Sequence, residues 1–497
     1  MNKKFLLWIN LSLFHFCFAY YFQKEYDCDL YALIDTTDRP KKFFKEQNIV
    51  PFKKSWYYHD RFSDVDEEPD IKYLKSFEKK YGIQLWKLII NDRIFNAYNK
   101  FYQFSNKEIL TILTLECKLY EEILDEVNPD YVLMGQPQLR HDQLFYELTR
   151  AKKIKTIITN PANLGYKCYL SQESNKFDIF ENINLESNKN KTFDDLQEYI
   201  NSHSFKKQTE DFLNSVNSSG LERLKAAKEF LLASENNNVK SHYTYFGRSK
   251  KKVLFDSIEL SRKRKKRKAY IDRKFETEIK NEPFVYFPMG SDPEASTLLA
   301  APFQNNQVEI IKQVAKSIPI EYKLYVKEHP FQEQRNWRDI SNYEEIMEIP
   351  NVKLLHPSVK INEIYKKCSL VVTVTGTAGF EAAFYGKPSI IFSENVNYSI
   401  MPSVFQVGKI DELPTLIRTS LKTKIEFSDV NKFVSLIENN SFDFDFYNFV
   451  TKKEEYFFFS GFLIDTIIPI PKMEAFLKNI NNEFKILVDE HIKKLKA

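Results

Sequence analysis

The chain is predicted to be an α/β protein built from two doubly wound, Rossmann-like lobes. Three observations carry that prediction. Its 497 residues exceed what one ordinary core organises and suit two domains of about 200 residues plus an extension. Between Glu282 and Ser393, four apolar strand-like runs each leave their sheet through a polar or glycine-containing turn, three of them into a helix-like segment. At the other end, Phe5 to Ile9 reads as a buried strand, Leu11 to Lys24 as a helix and Leu30 to Ile34 as the next strand, the opening βαβ of a doubly wound domain.

The run from Phe5 to Phe18 behind Lys3 and Lys4 also imitates a signal peptide, with Cys17-Phe18-Ala19 as a small-residue cleavage site. Asn10, Ser12 and His15 interrupt the apolar run and favour the βαβ reading, with a cytoplasmic location and a retained N-terminus. Composition agrees with a folded protein: 43% hydrophobic and 28% charged residues exclude a disordered chain. The five cysteines are scattered, odd in number and without CxxC spacing, which argues against a disulfide framework or a zinc site.

Along the first lobe, Arg39 to Asp70 is charged and without clear period, and Tyr73 to Tyr81 is helical. Ile109 to Val127 repeats apolar residues at helical spacing until Asn128-Pro129-Asp130 stops it, and Tyr131 to Met134 reads as a strand. Gly135 to Asp142 is then a polar strand exit leading into a helix from Gln143 to Ala151, and Ile154 to Ile158 is the next strand. Asn182 to Ser219, rich in Asn, Ser and Lys, reads as a surface excursion.

The span Arg248 to Lys274 holds thirteen basic residues against Asp256, Glu259 and Asp272, a local net of 13 − 3 = +10, whereas the whole chain carries only +4. A solvated helix linking the lobes is the plainest account. Peripheral contact with an anionic membrane or an anionic glycan acceptor is the alternative, and no nucleic-acid motif accompanies the run. The expected boundaries are a first domain over 1–240, a basic linker over 241–282, a second domain over 283–425 and a C-terminal helical extension over 426–497. The extension comprises an aromatic stretch from Phe442 to Phe462 and an amphipathic helix from Met473 to Leu495.

The chemistry concentrates in the second lobe. The β-branched run Leu370 to Val374 breaks at Thr375-Gly376-Thr377-Ala378-Gly379-Phe380-Glu381 and resumes as a helix former, so Gly376, Thr377, Ala378 and Gly379 present backbone N–H groups where phosphate binds well. One run earlier, Tyr322 to Val326 ends in Lys327-Glu328-His329-Pro330 and brings a lysine and a histidine to the carboxyl edge of a neighbouring strand. Ser291 and Asp292 leave the first strand of this lobe, where a loop usually approaches phosphate.

The stretch from about Phe284 to Phe392 resembles the capsule polysaccharide biosynthesis family, which includes β-Kdo transferases, and more distantly other glycosyltransferases of the two-Rossmann-lobe (GT-B) type. Lys327-Glu328-His329-Pro330, Gly376-Thr377-Ala378-Gly379-Phe380-Glu381-Ala382 and Gly386-Lys387-Pro388 carry the likeness. The resemblance implies a donor site in the second lobe, an acceptor site in the first and a central cleft between them. It also implies that His329 and the turn amides meet the leaving phosphate, with Lys327 in support and Glu381 accepting from the ribose or sugar. The expected activity is transfer of a sugar from a nucleotide-activated donor, a CMP-sugar among the candidates, to a surface or capsular polysaccharide or a glycolipid, in the cytoplasm or peripherally at the inner face of the cell membrane. No cofactor and no metal is expected.

An inverting transfer needs one general base, for which Asp142 with His141 beside it is the candidate; Asp92-Arg93 is the reserve, read more simply as a structural ion pair. Each of these residues has a structural alternative. His329 can cap a turn, Glu381 can complement a helix dipole, and Asp142 can cap a helix. A sugar-nucleotide 2-epimerase, a polyol-phosphate transferase on the same fold, and a non-catalytic scaffold of a polysaccharide assembly complex are the rival functions.

Overall fold

Seven strands form one sheet and six another in the computed structural model, which describes residues 2–62, 67–98, 100–178, 192–203, 220–233, 238–393 and 395–496. The chain divides into two units, one of residues 1–179, 203–252 and 440–497, the other of residues 180–202 and 253–439.

The first unit holds β1 (Lys3–Asn10), β2 (Cys28–Asp35), β3 (Lys54–Tyr57), β4 (Tyr131–Gly135), β5 (Lys155–Pro161) and β6 (Lys167–Ser171). The second holds β7 (Phe284–Pro288), β8 (Lys323–Lys327), β9 (Val352–Leu355), β10 (Leu370–Thr373), β11 (Ser389–Ile391) and β12 (Val404–Gln406); β13 (Phe442–Asp443) returns to the first. The orders are β13-β6-β5-β4-β1-β2-β3 and β12-β11-β10-β7-β8-β9. In both, the first strand lies inside the sheet, the chain winds outward to one side and then crosses to the other, which is the doubly wound order with its switch point beside that first strand. All pairings are parallel except β5 with β6 and β6 with β13.

The apolar run Phe5 to Ile9 is continuous because β1 is covered on both faces. Phe5, Leu7 and Ile9 join a core with the helix Phe14–Glu25 and the C-terminal helices, through Phe449, Phe476 and Phe484. Leu6 and Trp8 point the other way, against the helices Asn106–Val127 and Arg140–Ala151 through Cys117, Tyr120 and Phe145. The C-terminal segment therefore closes one face of the first sheet and adds its antiparallel edge strand. Its helix is two, Ile470–Asn479 and Asn481–Lys496, broken at the buried Ile480 where asparagines follow on either side and favour helix weakly.

In the second unit Val285, Phe287, Leu324 and Val326 fill one core, and Phe284, Tyr286, Tyr325 and Leu355 the other. One stretch differs from the sequence reading. The aperiodic stretch after Arg39 contains the helix Asp38–Glu46 and the edge strand β3, whose side chains are at most half-buried and so lack a clean pattern. The basic span forms the helix Lys250–Lys274, in agreement with the helical reading of that segment, and the short 3-10 turn Tyr243–Tyr245 precedes it. Asn182 to Ser219 falls mostly outside the described residues, apart from the helix Phe193–His203.

Candidate functional site

The exits of β7, β8 and β10 come from three adjacent strands, and the second sheet's switch point lies between β7 and β10. Side chains tie these exits together. Arg338, buried, donates to Glu328 Oε2 at 2.9 Å, to Asp292 Oδ2 at 2.9 Å and to the Gly290 carbonyl at 2.6 Å, joining the loops after β7 and β8. Gln332 receives the Asp292 amide at 3.1 Å and donates to its carbonyl at 3.3 Å. On the other side, Thr375 Oγ1 donates to the Ser296 carbonyl at 2.8 Å, joining the β10 exit to the segment after β7.

Within this frame the sequence-predicted residues take distinct positions. His329 Nδ1 accepts the Phe331 amide at 3.2 Å, which leaves the ring proton on Nε2 when the imidazole is neutral. Neutral it stays: burial, with Arg335 and Arg338 nearby, pushes its pKa down to about 4. Ser291 Oγ is buried and has no hydrogen-bond partner among the described residues, an unpaired polar atom at the β7 exit where a ligand group would satisfy it. Lys327 donates to the Val359 carbonyl at 2.5 Å, and Glu381 accepts from Tyr365 at 2.9 Å and from Thr377 Oγ1 at 2.8 Å, so both have intramolecular work.

The glycine turn is tighter than its sequence suggests. The amides of Gly379, Phe380 and Glu381 close onto the carbonyls of Gly376 and Thr377, and that of Gly376 onto Thr373 Oγ1. Among the described residues, the Thr377 and Ala378 amides keep no partner and are the ones left for an anion. A Cβ on Gly379 would come within 2.7 Å of the Tyr398 ring, whose hydroxyl holds the Gly376 carbonyl at 2.5 Å. Tyr398, unremarked in the sequence, is therefore what shapes the turn. The helix that follows is a single α turn, Ala378–Glu381, continued as 3-10 over Ala382–Tyr385.

In the first unit the helix begins at Arg140 rather than at Gln143, so His141 and Asp142 lie in its first turn and not in the strand exit. The reason is Asp142 itself: its carboxylate accepts the Gln138 amide at 2.9 Å and the Leu139 amide at 2.7 Å, satisfying donors that a helix start leaves open. Burial pushes this carboxyl up, against the pull of His141 and the two amides. Asp142→Asn offers one acceptor oxygen for two amides, so a stability loss of about 1–3 kcal/mol is expected in urea unfolding. Turnover measured on the same folded variant separates a capping role from a proton-accepting one.

His141 Nε2 meets Asp35 Oδ2 at 2.9 Å, and His59 Nε2 meets Asp35 Oδ1 at 3.1 Å; both imidazoles are buried. Burial would raise the Asp35 carboxyl, but His141 and His59 more than reverse this and hold it well below its usual range. Conversely burial alone would lower His141, and Asp35 raises it. The reserve pair Asp92-Arg93 is not a pair: Asp92 and Glu116 together bind the fully buried guanidinium of Arg140, while Arg93 donates to the Gln138 carbonyl. Tyr243 and Tyr58 complete the cluster, their hydroxyls 2.8 Å apart and Tyr58 also donating to Glu116.

Three buried histidines of this unit are held neutral by desolvation, His15 at about 3 and His59 and His491 at about 4. Their unfolded values lie near 6.5, so the unfolded chain binds more protons below that pH. Stability from these groups is fully present above about pH 6.5 and is lost as pH falls toward 4, while the raised His141 contributes in the opposite sense. Urea midpoints measured between pH 7.5 and 4 are expected to fall, with a stability loss of roughly several kcal/mol.

Among the described residues, no group of three His, Cys, Asp or Glu side chains is arranged to hold a metal ion. No described helix is long and apolar enough to cross a membrane.

Comparison with protein families matches residues 178–401 to the capsule polysaccharide biosynthesis protein family. Comparison with the curated proteins found no match. Among solved structures, the UDP-GlcNAc 2-epimerase from Methanocaldococcus jannaschii aligns at 11% identity over 88% of this chain and 100% of its own, with a TM-score of 0.25. The beta Kdo 2,7 transferase KpsC of Thermosulfurimonas dismutans aligns at 12% identity over 74% of this chain and 97% of its own, with a TM-score of 0.30. The UDP-GlcNAc 2-epimerase from Neisseria meningitidis, bound to UDP-GlcNAc, aligns at 11% identity over 88% of this chain and 99% of its own, with a TM-score of 0.27.

Proposed function

We propose that this chain, whose residues 178–401 match the capsule polysaccharide biosynthesis protein family, is a glycosyltransferase that uses a nucleotide-activated sugar to extend a surface glycan or glycolipid. The observation that carries the reading is the set of donors gathered at one strand edge. They are the Nε2–H of a neutral His329, the unpaired Ser291 hydroxyl and the free amides of Thr377 and Ala378, on loops cross-linked by Arg338, Gln332 and Thr375.

In glycosyl transfer the bond from the anomeric carbon to the phosphate oxygen breaks, and negative charge accumulates on that oxygen as it leaves. The acceptor oxygen forms the new bond and gives up its proton. Fixed donors aimed at the phosphate stabilise the charge as it develops, without reorganising at the moment of reaction. A neutral histidine suits this role, because it donates one directed hydrogen bond and competes with no substrate proton at neutral pH.

The test is a thermal-stability screen with CMP-, UDP- and GDP-sugars. A ligand at a hundred times its Kd stabilises a protein by about 2.7 kcal/mol, well within detection. One nucleotide class is expected to raise the melting temperature, and no shift with any of them removes the proposal. Incubating the stabilising donor without acceptor and analysing the sugar then separates transfer from 2-epimerisation, which needs no acceptor.

A further inference from the structure

We propose that the outward face of the helix Lys250–Lys274 docks the protein onto an anionic lipid surface. The opposite side of that helix is already occupied. Ile271 and the following Phe275 enter the core of the second unit, Arg267 donates to the carbonyls of Asn336 and Trp337 at 2.9 and 3.0 Å, and Arg264 lies 3.5 Å from Glu333. Outward there remain Lys251, Phe255, Ile258, Arg262, Lys265 and Lys266, spaced at i, i+4, i+7, i+11, i+14 and i+15 and therefore sharing one side of the helix.

Two properties of that side point to a bilayer. The first is charge: Arg262 to Lys268 is seven consecutive basic residues, and Arg262, Lys265 and Lys266 have no carboxylate partner among the described residues. Glu259 is occupied by Lys263 at 2.5 Å, and Asp272 by Lys268 at 3.4 Å and His356 at 3.1 Å, so neither offsets the outward charge. The second is apolar exposure in the preceding turns, where Phe255 is 73% exposed, Ile258 52% and Leu254 40%. A polyanionic glycan or a nucleic acid would use the cations and leave the Phe and Ile in water. A membrane interface takes both, apolar side chains into the boundary region and basic ones among the anionic headgroups. The helix would lie on such a surface rather than cross it.

The inference does not rest on the donor site, and its test needs no nucleotide. Full-length protein is sedimented with phosphatidylcholine vesicles, with and without phosphatidylglycerol. Binding is expected only with the anionic lipid and is expected to weaken as salt shortens the Debye length. Neutralising Arg262→Gln, Lys265→Gln and Lys266→Gln together is expected to lower the partition coefficient by roughly a hundredfold, at about fivefold per basic side chain. Phe255→Ser with Ile258→Ser is expected to weaken binding at every salt concentration. Melting temperatures should not move, since all five side chains are outward; if the triple variant melts lower, the three single variants read the same effect. Absence of binding to anionic vesicles overturns the proposal. So does full binding by the Phe255→Ser, Ile258→Ser variant combined with complete displacement by a soluble polyanion, which would assign the face to a polyanionic polymer instead.

Discussion

Replacing Arg140 by alanine is expected to destabilise the first unit by about 3–5 kcal/mol, enough to unfold a protein of ordinary stability at physiological temperature. The guanidinium is fully buried and holds two carboxylates that are themselves fully buried, those of Asp92 and Glu116. Removing it leaves two carboxylates in a fully buried site, where Tyr58 and Tyr243 donate hydrogen bonds to Glu116 but bring no positive charge. Lysine keeps the charge but not the planar fork that reaches Asp92 from Nε and Glu116 from both terminal nitrogens, so Arg140→Lys is expected to lie between alanine and wild type. Urea unfolding of the two variants measures both values. A loss below about 1 kcal/mol for Arg140→Ala would mean that the cluster does not hold two ionised acids. Combining Arg140→Met with Asp92→Asn and Glu116→Gln is expected to recover much of the loss, because all three charges then disappear together.

His329→Ala is expected to reduce kcat/KM for the nucleotide-sugar by about 100- to 1000-fold, the usual effect of deleting one preorganised donor to a developing anion. Folding should be little affected, because among the described residues the ring's one intramolecular hydrogen bond is the one it accepts from the Phe331 amide. His329→Gln, whose amide can still donate, is expected to retain part of the activity. The pH profile distinguishes this role from that of a histidine acting as an acid or base near neutrality. With the imidazole neutral down to about pH 4, the His329 contribution to transfer should be flat from pH 8 to 5 and fall only below that, as protonation of Nδ1 breaks its bond from Phe331. A histidine-dependent inflection near pH 6.5 would contradict the assignment. So would normal donor turnover by His329→Ala.

The two halves of the molecule were legible to different depths. Both sheets could be anticipated strand by strand where the run was apolar and central, as at β1, β4, β7, β8 and β10, because a strand covered on both faces needs no partner-dependent pattern to be recognised. β3 escaped notice because its side chains are at best half-buried. In the site, His329 and the Gly376 to Gly379 turn were visible as residue types at strand ends, whereas Tyr398, Arg338 and the unpaired Ser291 hydroxyl were not. Arg338 sits ten residues beyond Glu328 but forty-six beyond Asp292, a separation at which sequence carries no signal of contact.

What local sequence determined was therefore the class of fold, the doubly wound order of strands around two buried central runs, and the strand exits whose polar residues lie at one edge of the second sheet. Each follows from short-range periodicity and turn chemistry, which act within a few residues. What only tertiary structure decided was the partner of each polar group. Asp142 turned out to cap its own helix, and Asp92 to pair with Arg140 across forty-eight residues rather than with adjacent Arg93. Burial makes the difference: a charge removed from water must find whichever opposite charge the fold brings to it, and that partner is set by packing, not by proximity in the chain.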